Sequence, residues 1–328
     1  MSYAQGGLIQ AADYNTFLGN ATASGAAINS VWATGRGDSG YGQTSLGNVS
    51  QAGLVTATQW ASAVNTLNSI RTHQTGSGTG LSAPTAGSLI SYLSAVSTSI
   101  SSAYSSRTTA SSQGTTTNQT NNATNLTASN GVAAQTFTIT RTATFASADQ
   151  ARYFFNAGGQ INFVIGSSTN GGGTTRGADL VTLASTNFVS YPTFKAASGG
   201  GKTGTGGTVV TNATNIGYYQ LTTSFQTLCK ITSTTAPYTG DYIQLDVKSN
   251  GLQGANADVG TIVTFQLTLY SDTQSTYPAP PPYDGITGTR TVNTTTEDSI
   301  NITVNNYLAV VYPETTNLTN SWGTVTLA

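Results

Sequence analysis

The chain has 328 residues, of which 7% are charged, and a formal net charge of −1; an average soluble protein carries about 25% charged residues. Its eleven basic residues are scattered singly, which leaves no electrostatic footprint for nucleic acid or an anionic membrane. An apolar share of 37% with 9% aromatics argues against disorder and for folded domains, whose uncharged polar surface costs little to desolvate against other subunits.

Residues 13–33 carry a helical stripe. Tyr14, Leu18, Ala21, Gly25, Ile28 and Trp32 are spaced 4-3-4-3-4, with Asp13 placed to cap the helix and Gly35 to stop it. A Gly-rich loop follows, and Thr56 with Gln59 then fits a capping box. Trp60, Val64, Leu67 and Ile70 form the apolar face of this second helix, which ends near Gln74. A third helix begins after Pro84, with Ser88 as cap and Leu89, Leu93, Val96, Ile100 and Ala103 on one face. Residues 1–105 thus read as a helical docking or oligomerisation domain. Its candidate packing residues are Leu18, Ile28, Trp32, Trp60, Leu67, Leu89, Leu93, Val96 and Ile100. They suit a small bundle within the chain or a coiled coil between chains, and the Ser, Thr and Ala at flanking positions favour the bundle.

Residues 106–130 are almost wholly Ser, Thr, Asn, Gln and Gly and read as a linker. A β domain is expected over 131–277. It opens with the alternating TFTITRTATF (136–145), followed by a short helix at 147–155 capped by Ser147 and a strand at 161–165. Residues 178–188 suggest another helix, and SGGGKTGTGG (198–207) a flexible loop. Four strand-like runs close the domain: NIGYYQL (215–221), FQTLCKITST (225–234), the segment around Ile243, Leu245 and Val247, and GTIVTFQLTLY (260–270). Short turns between them imply an antiparallel sheet with one hydrophobic and one hydroxyl-covered side. A Pro-rich spacer at 278–284 leads to a C-terminal β segment, 285–328, too short for a core of its own and expected to pack on the β domain or a neighbouring copy. The fold class is therefore α+β: an N-terminal three-helix segment, an antiparallel β-sandwich domain and a small C-terminal β segment.

No motif specifies catalysis. The Gly-rich loop lacks the first glycine of a phosphate-binding pattern, since position 196 is alanine. Arg36-Gly37-Asp38 spells a cell-adhesion tripeptide but suits a turn between helices equally well. His73, the only histidine, has no Cys or carboxylate cluster with which to build a zinc site or triad, and is expected at the surface or at a helix end. Cys229 lies in a strand and reads as a buried, inert thiol. Asp241 with Asp246, and Glu297 with Asp298, do not specify the spaced carboxyl pair that glycoside hydrolysis requires. Tyrosine is abundant at 16 copies; Tyr238, Tyr242, Tyr277 and Tyr283 are candidates for surface recognition of sugars or protein, the alternative being half-buried members of strand pairs. The N-terminal MSYAQGGLIQ is not a secretory signal, and no apolar run approaches membrane-spanning length. No cofactor or metal is expected.

Several segments together resemble virion structural proteins of tailed bacteriophages, particularly those of cyanobacterial and marine hosts: DYN near the start, GDSGYGQ, VTATQWASAVNTLNSI, ARYFFNAGGQINF, NIGYYQLTTSFQTL, GTIVTFQLTLY and YDGITGT, spanning residues 13–290. The resemblance implies a non-enzymatic particle component: a fibre, a tail or baseplate appendage, or a head-decorating protein. Expected partners are copies of the chain itself, as a homotrimer, and other virion proteins; expected location is the virion, after assembly in a host cytoplasm. A host-surface glycan-binding module is the alternative.

Overall fold

The computed structural model describes residues 11–51, 53–86, 93–129, 133–197, 199–253, 258–272 and 299–328. The Pro-rich spacer, Tyr277, Tyr283, Leu89 and the Glu297–Asp298 pair lie outside these residues. The fold is α+β, with helices concentrated near the N-terminus and two antiparallel sheets. No helix among the described residues is long and apolar enough to cross a membrane.

The stripe expected as one helix over 13–33 is two: α1 (Ala11–Leu18) and α2 (Ile28–Trp32). Gly19 ends the first at φ +67°, and the chain folds back until a Cβ on Gly19 would sit 2.3 Å from that of Ala27. A continuous helix cannot bring those positions together. α3 (Ala57–Thr75) begins at the expected capping box, with Thr56 and Gln59 each bonding the other's backbone, and ends at Gly76 in the left-handed conformation. α4 (Leu93–Ser105) packs against α2 and α3. Tyr14 and Phe17 of α1 each place a ring 5.8 Å from Trp60 of α3. The helices therefore pack within one chain.

Residues 106–130 depart most from expectation. They contain β1 (Gln113–Asn118) and β2 (Asn122–Ala128), both antiparallel to a single long strand. That strand is β10 (Ile300–Pro313), numbered here in chain order with β3 (Gln135–Thr144), β4 (Gln160–Asn170), β5 (Ser190–Phe194), β6 (Thr208–Asn212), β7 (Gln226–Thr232), β8 (Tyr242–Ser249) and β9 (Ile262–Ser271). β1 pairs with its C-terminal end and β2 with its N-terminal end, so 113–128 forms one interrupted edge along β10. The polarity that suggests a linker is that of a sheet edge: every residue of β1 is exposed, β2 buries only Leu126, and the threonines of both are strand formers. On the other side β10 pairs with β4, and β4 with β5. The C-terminal segment is thus no appended piece: β10 is an inner strand of the first sheet.

The second sheet has the order β11-β3-β9-β8-β7-β6, where β11 is Thr326–Leu327. β3, β8 and β9 pair in register over their lengths, and on β9 Val263, Phe265, Leu267 and Leu269 point inward as their alternation predicts. The sheets meet face to face: Phe265 lies 5.4 Å from Phe194 and 6.4 Å from Phe163 by ring centroid, both on the first sheet. α5 (Ala148–Asn156) is capped by Ser147, and its Phe154 and Phe155 rings join the core. α6 (Thr175–Thr182) continues as a π-helical turn, Leu183–Phe188. The expected strand at 215–221 is instead a 3-10 turn, Tyr218–Gln220. Two adjacent tyrosines both face inward there: Tyr218 stacks on Phe155 at 4.2 Å, and the Tyr219 hydroxyl reaches Gly37. A strand would send them to opposite faces.

Candidate functional site

The densest polar constellation surrounds the Arg-Gly-Asp tripeptide. Gly35, Gly37, Gly40 and Gly42 all have positive φ, which curls the loop so that its carbonyls converge inward. Arg152 of α5, 2% exposed, enters that concavity and donates to the carbonyls of Thr34 (2.9 Å), Gly37 (3.0 Å) and Ser39 (3.1 Å). Its charge is met by Asp149 at 3.0 Å and Asp258 at 3.5 Å. Asn156, one turn on, donates to the Gly37 and Gly40 carbonyls at 3.3 and 3.0 Å. The Tyr219 hydroxyl lies 2.8 Å from the Gly37 carbonyl and 2.7 Å from Asn156 Oδ1, its one proton serving either. Asp258 accepts from the Gly37 amide at 3.0 Å, and Asp38 forms a two-pronged pair with Arg107 at 2.6 and 3.0 Å. Adhesive recognition needs the aspartate and backbone of this tripeptide free. Here both are engaged internally, and the loop is a clasp between helices and sheets.

The sequence-derived site residues disperse. Leu18, Ile28, Trp60, Leu67, Val96 and Ile100 are buried in the common core, and Trp32 and Leu93 are partly buried against it. These are intrachain packing residues. Tyr238 is not a surface residue: it is 4% exposed, with its hydroxyl 2.6 Å from Thr175 Oγ1. Tyr242 stands on the outer face of the second sheet, where Tyr270 stacks at 4.7 Å from the β9 side and Lys230 Nζ sits 3.8 Å from its centroid on the β7 side. Neither ring face of Tyr242 is left for a ligand. Lys202 of the Gly-rich loop donates to the Asn187 and Gly204 carbonyls at 3.0 and 3.3 Å, so it is committed to its own backbone. Cys229 is buried as expected, and burial pushes its thiol up to about 12.

His73 lies in the last turn of α3, at a helix end as expected, but not at the surface. It is fully buried, with Nδ1 2.8 Å from Glu314 Oε1 and its ring edge-on to Tyr41. Burial lowers its pKa against the raising influence of Glu314, so the ring is neutral and donates Nδ1–H to the carboxylate. Glu314 stays below the usual range: burial works upward, but His73, Asn317 and the Thr316 amide outweigh it. Nothing in the sequence pairs residue 73 with residue 314; that contact exists because β10 ends beside α3.

A second polar cluster was not foreseen. Arg176 of α6, fully buried, donates to Ser271 Oγ at 2.7 Å, and Ser271 in turn donates to Asp241 at 2.9 Å. Asp241 also accepts the Asp272 amide at 2.7 Å, and burial raises its carboxyl to about 6. Asp179, one α6 turn from Arg176, is 5% exposed, and its Oδ1 accepts Ser233 Oγ at 2.7 Å. Its Oδ2 is buried and out of reach of solvent, and the Thr235 hydroxyl acts with that of Ser233 to favour the charged form. Burial, the leading influence, raises the Asp179 pKa against both hydroxyls. Asp179 lines a cleft of about 410 Å³ with Thr175, Ala178, Thr182 and residues 235–238. A lone Asp inside a helix offers no signal of this kind, because its value lies in the loop opposite. Among the described residues no group of three His, Cys, Asp or Glu could hold a metal ion. No protein-family model, curated protein or solved structure matches the chain.

Proposed function

We propose that this chain is a structural component of a tailed-phage virion, a fibre-like tail or baseplate appendage or a head-decorating protein, that acts by contact with copies of itself and with other virion proteins. One observation carries the reading: each sheet ends in an uncharged outer strand. β1, β2 and β6 read QGTTTN, NATNLTA and TVVTN, and all six β1 residues are exposed, as are Val209 and Val210 on β6. Proteins that stay solitary guard such edges with lysine, proline or a covering segment, because open backbone groups template pairing with another chain. The proline of β5 is such a guard, at the opposite edge of the first sheet. The remaining edges suit burial between subunits, where uncharged side chains lose little on desolvation. The tyrosine-based glycan reading gains no support from Tyr238 or Tyr242, one buried and the other covered on both faces.

The test is sedimentation velocity at tens of micromolar, run beside mass spectrometry of purified particles. A trimer that falls to monomer when Val210→Lys and Thr117→Lys are combined, with the far-ultraviolet spectrum unchanged, supports the proposal. A monomeric wild-type chain absent from particles overturns it.

A further inference from the structure

We infer that Arg141 is a guard on the second sheet: it keeps the uncovered half of β3 from pairing with β3 of a second copy, and so confines contact between copies to other edges. This guard is independent of the assembly proposed above, since it is needed whether or not β1, β2 and β6 meet neighbours.

β11 pairs only with Thr144 and Ala143 of β3, and one further exchange of backbone hydrogen bonds joins Ala328 to Thr142. From Gln135 to Arg141, β3 pairs with β9 on one side and with no described strand on the other. Thr142 gives both backbone groups to Ala328. The alternation of an antiparallel ladder therefore turns the amides and carbonyls of Thr136, Thr138 and Thr140 the same way, out from the edge of the sheet. The stretch has what a further strand requires: threonines alternating with apolar residues, no proline, and no charge but Arg141.

Arg141 stands where the cover ends. Its side chain lies on the inward face, between Ile139 and Ala143 and opposite Phe265 of β9. Nη1 turns back to the Thr140 carbonyl at 3.4 Å, one of the groups that face the open edge. Nε and Nη2 are closed to solvent and bonded to nothing, so no ligand reaches them, and no carboxylate among the described residues pairs with the charge. The guanidinium acts instead on what could be added beside it. A strand laid along β3 would claim the Thr140 carbonyl for its own ladder and close the last 8% of exposure through which the ion meets water. The charge would then be wholly buried without a partner, and that cost opposes the pairing. An inward-facing charge is one of the devices that keep edge strands single, as Pro192 does for β5 by removing a donor. A second β3 is the partner guarded against, because the strand is its own complement. In antiparallel register about Thr138, the outward groups of Thr136 meet those of Thr140 in the other copy.

The experiment compares the full-length wild type with Arg141→Met by sedimentation velocity over the micromolar range. The variant should form species larger than any in the wild type, in a concentration-dependent way. Where it does, residue-resolved hydrogen exchange at the Thr136, Thr138 and Thr140 amides should slow by about tenfold or more. Arg141→Lys, which keeps an inward charge, should sediment as wild type. Adding Thr138→Pro to Arg141→Met removes an outward amide and no β3–β9 hydrogen bond, and should restore the wild-type distribution. Arg141→Leu takes the place of the methionine variant if that chain does not fold. A folded neutral variant that associates no further than wild type overturns the assignment. So does association that leaves the three amides exchanging at the wild-type rate, or a wild type in which they are already protected.

Discussion

Two buried arginines show how much depends on the partners of a single charge. Arg152 has a carbonyl or carboxylate for each donor direction, and it is the post around which the glycine loop closes. Replacing it by Met removes the side-chain donor from the Thr34 and Ser39 carbonyls and the cation 3.5 Å from Asp258, so Arg152→Met should cost about 3–5 kcal/mol in urea unfolding. Arg141 stands on the inward face of β3 between Ile139 and Ala143, 8% exposed, with Nε and Nη2 unpaired. Its one hydrogen bond is a 3.4 Å contact to the neighbouring Thr140 carbonyl. Here the ion is desolvated without compensation, and Arg141→Met should raise the melting temperature, corresponding to a gain of about 1–4 kcal/mol. The same substitution thus has opposite expected signs at two sites with similar burial. A loss of stability in Arg141→Met would show that the guanidinium is better served than its contacts indicate.

Among elements, the join between α3 and the end of β10 carries a titrating pair, His73 and Glu314. His73 has a folded pKa below its unfolded value of 6.5, so below about pH 6.5 the unfolded chain takes up the proton more readily and stability falls as pH drops. Glu314, also depressed, adds a further loss as pH falls below 4.5. Asp241 works the other way: raised to about 6, it favours the fold as pH falls from 6 toward 3.8. The His73 contribution is therefore isolated by difference. Melts of wild type and His73→Gln should diverge in slope below pH 6.5, by up to about 1.4 kcal/mol per pH unit, with the variant lacking the histidine component; parallel curves would remove the assignment. What the sequence made legible divides along similar lines. Alternation in β3, β8 and β9 and the Thr56–Gln59 cap were readable because a local period or a three-residue spacing determines them. β1 was not, because an edge strand wet on both faces has no period, nor was β2, whose inward side carries one large apolar residue, Leu126, too few to mark an alternation. The 3-10 turn at Tyr218 was hidden by residues that favour strands. Arg152 and Asp179 carried no signal, since their roles depend on loops more than 50 residues distant in the chain.

At the scale of the molecule, the expected succession of helical foot, linker, β domain and tail segment gives way to an interleaved arrangement. Core residues of the helices and of both sheets form one continuous hydrophobic cluster. The GRGDSGYG loop joins α5, the Tyr219 turn and Arg107, while Gln43 bonds to Thr319 and Ser321. Such cross-bracing ties the loops at the helical end to both the middle and the end of the chain. Outlining it from the chain alone was possible only where each segment's own pattern sufficed; the interleaving is a property of pairs remote in sequence.

The position of β10 has a consequence for the order of events at the ribosome. An inner strand supplied by residues 300–313 means that β1, β2 and β4 have no common neighbour until more than nine-tenths of these 328 residues have been polymerised. Until then the threonine-rich segment is an unpaired ribbon, and the scarcity of large apolar side chains in it, Leu126 alone, limits the aggregation that so long a wait invites.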